Sequence, residues 1–528
     1  MTFRVLLAAP FALSVLFASA QSPKMIDRIV DEGRDHSQVV SLLRHLTKNI
    51  GPRTTGTPEL DRAQSFVMNK LIEWGCSNVR LEKFGEFDVR FRRGGRASAR
   101  MFIGPAPAEW YNLRWTERPS VGPVSAWFSE ALKRSEFRAP GLGKADLRPT
   151  SEAPKDLRRW LPWQKDIQFS TPNWSPGTDG PVRGQAILEP LSSAELEAVR
   201  SRLKGAWIVM RDSPGMRGPR PTQSPLASML DEAGIAGRVY NSGSDLIWTH
   251  GQPGDAKAGQ LPTQVLISIS RPDYKIIRQH LAAGSDIQLE FDIENVFTRG
   301  PMPLFNVMGD IVGTERPDEY VILSAHLDSW NGPGSEGASD NGTGTMVMLE
   351  AMRILRACQV RPKRTIRLVL WGGEEQGLLG SRAYVEKHKA ELDKISAVFN
   401  DDAGSNYQGG LRILKEWDPF FAPLAEAINR AFPGMPFKLE FMESMSRGGG
   451  GSDHASFLQV GVPGLHWFET GRQDYRHVWH TQNDTFENAI PEYLVQSATN
   501  SALAAYLLSM NDRLLPRPAP APASGTPQ

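Results

Sequence analysis

Five short segments of the sequence combine imidazole and carboxylate side chains in patterns that can bind metal ions. They are SAHLD (324–328), ASDN (338–341), WGGEE (371–375), NDDAG (400–404) and WHTQND (479–484). In three of them the polar residues directly follow a short apolar run typical of a buried strand. Ligands of open α/β sheets bind at the carboxyl ends of the strands. We therefore expect the segments to meet at one edge of a sheet.

The residue types in these segments favour a pair of zinc ions. The chain has 2 cysteines, Cys76 and Cys358, which are too few for a thiolate cluster, so zinc would need imidazole and carboxylate ligands. Two zinc ions about 3.5–4 Å apart need one carboxylate that reaches both, and Asp340, flanked by small residues, is the natural bridge. Each ion then takes one imidazole and one further carboxylate. The predicted ligands are His326, Asp340, Glu375, Asp402 and His480.

Two more carboxylates are predicted to assist. Asp328 follows His326 by two residues, so it can accept the second imidazole N–H and hold the ring in its metal-binding tautomer. Glu374 adjoins a ligand without being needed as one, and a carboxylate beside an activated water is the proton acceptor that hydrolysis requires. The sequence therefore predicts a hydrolytic site with Glu374 as general base.

The elements that would position these groups alternate between strands and helices from about residue 301 to 513. Apolar runs at 320–325, 365–371 and 395–400 predict buried strands, and helices are predicted at 346–355 and 381–388. This order predicts βαβ units. We expect a three-layer α/β/α domain with a mixed, mostly parallel sheet.

The rest of the chain predicts further segments. A charged residue, an apolar run and Ala18-Ser19-Ala20 predict a signal peptide over residues 1–20, with export to the periplasm or medium and a mature start at Gln21. The predicted domains are a discontinuous catalytic domain (21–95 with 300–513), a Trp-rich insertion (96–175), a smaller β-rich domain (176–297) and a disordered Pro/Ala-rich tail (514–528).

Two parts of the sequence resemble known families. The motifs HLDSW, DDAGS, GVPG and RPKRTIRLVLWGGEEQGLLGS (361–381) resemble the co-catalytic di-zinc exopeptidases that include aminopeptidase Y and the glutamate carboxypeptidases, and they look most like the plasma glutamate carboxypeptidase branch. LTKNIGPRTTGTPE (46–59) resembles that family's N-terminal segment. LKG (203–205) and AGIAGRVYN (233–241) resemble a protease-associated (PA) domain, so the smaller domain is expected to be a PA-like insert.

The resemblance implies particular residues at the site. The family's Asp-Ala-Gly pattern selects Asp402 over Asp401, and His-Thr-x-x-Asp-Thr selects His480 over His477. It also implies a cis peptide between Asp340 and Asn341. Arg447, in a Gly-rich run, is either a contact for a substrate carboxylate or a solvated surface residue.

The implied function is an exported exopeptidase with two zinc ions per chain, acting on peptides or dipeptides. Aminopeptidase and carboxypeptidase or dipeptidase activity both fit. A formal net charge of +1 gives no reason to expect nucleic acid, and no integral membrane contact is expected. A homodimer is left open. Two alternatives also stay open, namely a non-catalytic binding protein on the same fold and a single-zinc acyl transferase or cyclase.

Overall fold

The structure is a computed structural model of the 528-residue chain. It describes residues 23–103, 163–211, 225–255, 257, 259–445 and 450–517. The predicted signal peptide, most of the predicted Trp-rich insertion, most of the predicted tail and Arg447 lie outside the described residues.

Helices and strands alternate through most of the described chain. The α-helices are α1 (Pro23–Asp35), α2 (Val39–Arg44), α3 (Pro58–Glu73), α4 (Ser193–Val199), α5 (Pro225–Glu232), α6 (Arg271–Ala282), α7 (Thr343–Ala357), α8 (Leu379–Lys387), α9 (Asp418–Ala431), α10 (His454–Gln459), α11 (Tyr475–Val478) and α12 (Pro491–Met510). The strands are β1 (Ser77–Ile103), β2 (Trp163–Asp166), β3 (Phe169–Ser170), β4 (Val182–Leu188), β5 (Trp207–Val209), β6 (Gly237–Asn241), β7 (Leu266–Ile269), β8 (Ile287–Ile311), β9 (Arg316–His326), β10 (Arg364–Trp371), β11 (Ile395–Asn400), β12 (Tyr407–Leu414), β13 (Lys438–Met442) and β14 (Gly464–Thr470).

Helix α3 shows how local sequence sets these boundaries. The Thr57 side chain accepts a hydrogen bond from the Leu60 N–H, and Pro58 occupies the first turn, where no intrahelical N–H is needed. Gly75 follows the helix with a φ of +74°, a conformation that glycine adopts without steric cost. The helix buries Val67 and Leu71 in the main core.

The site-bearing part of the sheet is mostly parallel. Strand β9 is parallel to β10 and β11, and β11 is parallel to β14, so their carboxyl ends share one edge. Strands β8 and β12 add antiparallel neighbours. One face of this sheet packs on a large apolar core that includes α3, α7 and α12, and the other packs on a smaller core that includes α8 and α10. The predicted three-layer α/β fold is confirmed.

Two long strands connect this sheet with a second group of strands. The 27-residue β1 and the 25-residue β8 pair antiparallel, and β8 also pairs with both β10 and β4. The predicted boundaries near residues 95 and 300 therefore fall inside continuous strands. The length of β8 was not predicted, because its middle part, residues 295–303, is exposed or half-buried and carries no apolar run.

The part of the described chain between β1 and β8, here called the inserted unit, contains parallel strands and helices. Strands β4 to β7 are parallel neighbours, and they pack on α4 to α6 through two further apolar clusters. This content is less β-rich than expected, and the similarity to a PA domain stays a prediction. Cys76 and Cys358 are free thiols. Among the described helices, none is both long and apolar enough to cross a bilayer.

Candidate metal centre

The site begins at the end of β9, where His326 is buried against the sheet edge. Its Nδ1 lies 2.9 Å from the backbone carbonyl of Asp328. Its Nε2 faces two carboxylates, with Asp402 Oδ1 at 3.1 Å and Asp340 Oδ1 at 3.3 Å. The carbonyl contact favours a proton on Nδ1, which leaves the Nε2 lone pair free for a metal.

Asp340 lies between the two predicted imidazole ligands. Its Oδ1 faces His326, and its Oδ2 lies 3.2 Å from His480 Nε2. The peptide bond between Asp340 and Asn341 is cis, as the family resemblance implied. The two oxygens of one carboxylate therefore serve two different imidazoles, which is the arrangement that a bridging ligand requires.

Glu374 and Glu375 follow β10 and are held in place by Asp328. The Asp328 carboxylate accepts hydrogen bonds from the backbone N–H groups of Glu374 and Glu375 and from the Thr55 hydroxyl. Its nearer oxygen is 3.8 Å from His326 Nδ1, so the carbonyl, and not the expected carboxylate, orients that ring. Asp328 therefore acts mainly on the Glu-Glu turn.

The two aspartates that follow β11 point in different directions, because successive side chains of an extended segment alternate. Asp402 faces His326, whereas the Asp401 carboxylate accepts a hydrogen bond of 2.8 Å from Gln408 Nε2. The structure thus brings Asp402, and not Asp401, to the cluster.

His480 completes the cluster from the loop that follows α11. Its Nε2 lies 3.1 Å from Glu375 Oε2, in addition to its contact with Asp340. The alternative residue, His477, is exposed and contacts the Asn483 side chain. His480 has a φ of +55°, an uncommon left-handed conformation for a residue with a side chain.

The cluster therefore forms two triads that share Asp340. One contains His326 and Asp402, and the other contains His480 and Glu375. Tetrahedral zinc with bonds of about 2.0–2.2 Å places its ligand atoms roughly 3.3–3.6 Å apart, and the four ligand-to-ligand distances are 3.1–3.3 Å. Glu375 Oε1 is also buried without a hydrogen-bond partner. The donor atoms and their spacing fit two zinc ions.

The charge balance of the site also favours cations. Burial and the Asp340 charge raise the pKa of Glu375 to about 7. Burial lowers the pKa of His480, but Glu375 and Asp340 outweigh it and raise that pKa to about 10. Burial, together with Asp402 and Glu375, holds the pKa of Glu374 well above its ordinary value. Such shifts show an excess of buried negative charge, which bound divalent cations would neutralise.

Sequence reasoning missed Arg53 as a supporting residue. Its side chain is fully buried and donates to the carbonyls of Gly51, Leu327, Glu336 and Gly337. These bonds connect the N-terminal segment to the loops that carry His326 and Asp340. The signal was the GPRTTGTPE match, to which no residue role was attached.

Asp484 and Asp453 were given no metal-site role in the sequence analysis. The Asp484 carboxylate accepts from the backbone N–H groups of Ser339 and Asp340, and burial raises its pKa to about 8. Asp453 is fully buried near Glu374 and Asp402, and burial raises its pKa to about 7. Asp484 stands in the His-Thr-x-x-Asp-Thr pattern that selected His480, so its position was a usable signal.

The chain is similar in sequence and in fold to known proteins. Residues 306–505 match the model of peptidase family M28. The described structure is similar to that of a peptidase M28 precursor from Shewanella amazonensis, with a TM-score of 0.61 and 20% identity over 94% of this chain and 99% of that one. It is also similar to a zinc aminopeptidase from Bacillus subtilis, with a TM-score of 0.51 and 19% identity over 89% of this chain and 94% of that one.

Curated relatives match part of the chain. Mouse Carboxypeptidase Q is 35% identical over 213 residues, which are 40% of this chain and 43% of the relative. The Xenopus laevis Carboxypeptidase Q is 33% identical over 254 residues, or 47% and 51%, and Bacillus subtilis aminopeptidase YwaD is 31% identical over 207 residues, or 37% and 44%. The chain thus spans about half the length of the curated relatives it matches. The match of residues 306–505 to peptidase family M28 agrees with the family resemblance of the sequence motifs.

Proposed function

We propose that this protein is an exported metallo-exopeptidase that uses two zinc ions. The observation that carries this proposal is the pair of His-carboxylate triads sharing Asp340, with its two oxygens 3.3 Å from His326 and 3.2 Å from His480. The M28 match and the names of the relatives support peptide hydrolysis.

The chain's own residues divide the chemical work. Bound zinc ions would polarise the scissile carbonyl and acidify the attacking water. Glu374 accepts the proton of that water and returns it to the leaving amine, as a general base that becomes a general acid. The backbone N–H of Glu374 donates to Asp328 Oδ1 at 3.2 Å. This bond positions Glu374 and leaves both oxygens of the Glu374 carboxylate free to take up a proton.

The inserted unit supports a preference for chain ends. Its segment at Trp248 and Thr249 is hydrogen-bonded to the loop that carries His480, so the inserted unit borders the metal centre on that side. A site bordered in this way admits a free chain end more easily than the middle of a folded chain. The substrates are therefore short peptides or dipeptides, with aminopeptidase and carboxypeptidase or dipeptidase action to be separated by assay.

Glu374→Gln and Glu375→Gln together test the catalytic proposal. Glu374→Gln should keep about two zinc ions per chain but lose turnover by about 10²–10⁴-fold or more, because an amide cannot accept the proton. Glu375→Gln should lose zinc first, because a charged ligand is removed from the His480 triad. Zinc content by mass spectrometry and hydrolysis of free, N-blocked and C-blocked peptides are measured on the same samples.

These measurements also separate the alternatives. Full activity at one zinc ion per chain would favour the single-zinc transferase or cyclase, and zinc binding without hydrolysis of any free peptide would favour the binding protein. Wild-type turnover by Glu374→Gln would exclude that residue as the base. Cleavage of internal bonds in peptides blocked at both ends would contradict an exopeptidase.

A further inference from the structure

Residues 247–249 of the inserted unit contact the metal centre directly. The N–H of Thr249 donates to the carbonyl of His480 at 2.7 Å, and Trp248 forms an antiparallel bridge with Thr481. The N–H of Ile247 donates to Gln482 Oε1 at 2.8 Å. Segments 247–249 and 480–482 therefore pair like short strands, and the second segment begins at the predicted metal ligand His480.

Aromatic contacts reinforce this pairing. Trp248 meets Trp479 edge to face at 5.9 Å between ring centroids, and Trp479 stacks on the imidazole of His480 at 4.1 Å. Trp330, from the loop after His326, meets the same imidazole edge to face at 6.1 Å. The orientation of the His480 ring thus depends on a contact chain that begins in the insert.

The insert side of this junction is itself held firmly. Ser170 donates to the Trp248 carbonyl at 2.7 Å, and Asn173 donates through its N–H to the His250 carbonyl at 2.8 Å. Arg93, on β1, donates to the Asn331 carbonyl at 2.7 Å and also to Thr171. The insert therefore presents residues 247–249 as a fixed edge.

The catalytic side approaches so closely that two positions admit only glycine. A Cβ on Gly332 would lie 1.7 Å from Thr249 Cγ2, and a Cβ on Gly334 would lie 2.8 Å from the Gln482 carbonyl. The backbone at Gly332 and Gly334 therefore packs so closely on segments 247–249 and 480–482 that neither position has room for a side chain.

We infer that Trp248, Thr249 and Gln482 are positioning residues that hold His480 as a ligand of one of the two zinc ions. The reason is the left-handed backbone of His480, with a φ of +55°, which is unfavourable for a residue with a Cβ unless its surroundings impose it. The hydrogen bond from the Thr249 N–H to the His480 carbonyl and the bridge between Trp248 and Thr481 impose this conformation on His480. The inserted unit is thus part of the metal site and not only a cover over the substrate.

This inference rests on the proposed two-zinc function, and it predicts an effect on one ion only. His326 is oriented from the catalytic side by the Asp328 carbonyl, whereas His480 also has contacts from the insert. Loss of outer contacts to a zinc ligand costs roughly 10–100-fold in metal affinity. Weakening the junction should therefore lower the affinity for one zinc equivalent by that factor and leave the other unchanged.

The experiment uses matched variants of the full chain. Gln482→Met removes the acceptor for Ile247 at similar size, and Gln482→Glu keeps it. Trp248→Leu removes the ring contact, and Trp248→Phe keeps an aromatic edge. Gln288→Met is the control, because Gln288 accepts a hydrogen bond from Arg183 on β4 of the insert at 2.6 Å. Zinc bound per chain is measured across zinc-buffered solutions, together with thermal unfolding of the metal-free protein.

We expect Gln482→Met and Trp248→Leu to bind one of the two zinc ions more weakly than wild type does. Gln482→Glu and Trp248→Phe should bind both ions about as tightly as wild type, and so should the control. Unfolding of the metal-free variants should stay close to wild type. Equal weakening of both equivalents, or two unchanged equivalents in Gln482→Met and Trp248→Leu, would overturn the inference while leaving the two-zinc proposal standing. A wild-type protein that does not bind two zinc ions would instead overturn the proposed function, and the inference with it.

Discussion

Replacing Arg53 by Met tests whether the N-terminal segment holds the metal loops in place. Arg53 has no exposed surface and makes 4 side-chain hydrogen bonds to backbone carbonyls, at 2.8–3.2 Å. Met fills a similar volume but donates nothing. The carbonyls of Leu327 and Gly337 would then lose the donor that links them.

The expected magnitude comes from two opposing terms. Hydrogen bonds from a charged donor contribute about 1.5 kcal/mol each at the low end, so 4 of them contribute about 6 kcal/mol. Burial lowers the pKa of Arg53 to about 10, so the buried charge offsets part of that gain. We expect a net destabilisation of about 3 kcal/mol, half of the hydrogen-bond contribution, which is a large share of the roughly 5–15 kcal/mol that stabilises a typical protein.

The assay is urea unfolding of the metal-free and zinc-loaded protein. Arg53→Met should lower the free energy of unfolding by about 3 kcal/mol and should weaken zinc binding, because Leu327 and Gly337 flank ligand-bearing turns. Arg53→Lys should fall between Met and wild type, because an ammonium reaches fewer carbonyls than a guanidinium fork does. Arg476→Met, at an exposed position on α11, is the matched control.

A change of under about 1 kcal/mol in Arg53→Met would refute this reasoning. It would mean that water replaces the guanidinium at the carbonyls without cost. A stability loss without any change in zinc affinity would show that Arg53 supports the fold but not the metal loops.

The remaining predictions concern separate parts of the molecule. Asp402→Asn should lower zinc content, whereas Asp401→Asn should retain it, because only Asp402 faces His326; metal analysis of both variants decides. Asp484→Asn should weaken zinc binding by roughly 10-fold or more, because it weakens the hold on the backbone of Asp340; zinc-buffered titration measures it. Burial lowers the pKa of His454 to about 3, below its unfolded value of about 6.5. The unfolded chain therefore binds this proton first, so His454 lowers the stability of the metal-free protein as the pH drops below about 6.5; urea unfolding across pH should show His454→Gln gaining stability relative to wild type below that pH. N-terminal sequencing of exported protein should begin at Gln21, and a sequence beginning at Met1 would contradict the signal peptide.

Much of the fold and of the candidate site was readable from local pattern. The ends predicted for the strands at 365–371 and 395–400 and for the helix at 346–355 lie within three residues of the observed ends, because uninterrupted apolar runs and helical periodicity are local properties. The placement of polar groups just after strands predicted a shared edge, because parallel strands end together. All seven predicted site residues lie in or beside the observed cluster.

Other features depended on contacts between distant residues. Strands β1 and β8 pass through both parts of the sheet, and their length reflects pairing along each other, which no local window of sequence contains. Asp328 was predicted to accept a hydrogen bond from His326, but its carboxylate instead accepts from two backbone N–H groups of the Glu374–Glu375 turn and from Thr55.

Residue types and their order along the chain were enough to recognise a family resemblance and to predict a ligand set and a base, because each of those predictions rests on short motifs. The support around them was not, since it consists largely of backbone groups that carry no sequence signature. The carbonyls bound by Arg53 and the Thr249 N–H that meets His480 become partners only when the chain is folded. The tertiary structure therefore decided which contacts surround each predicted ligand, including those between the inserted unit and His480.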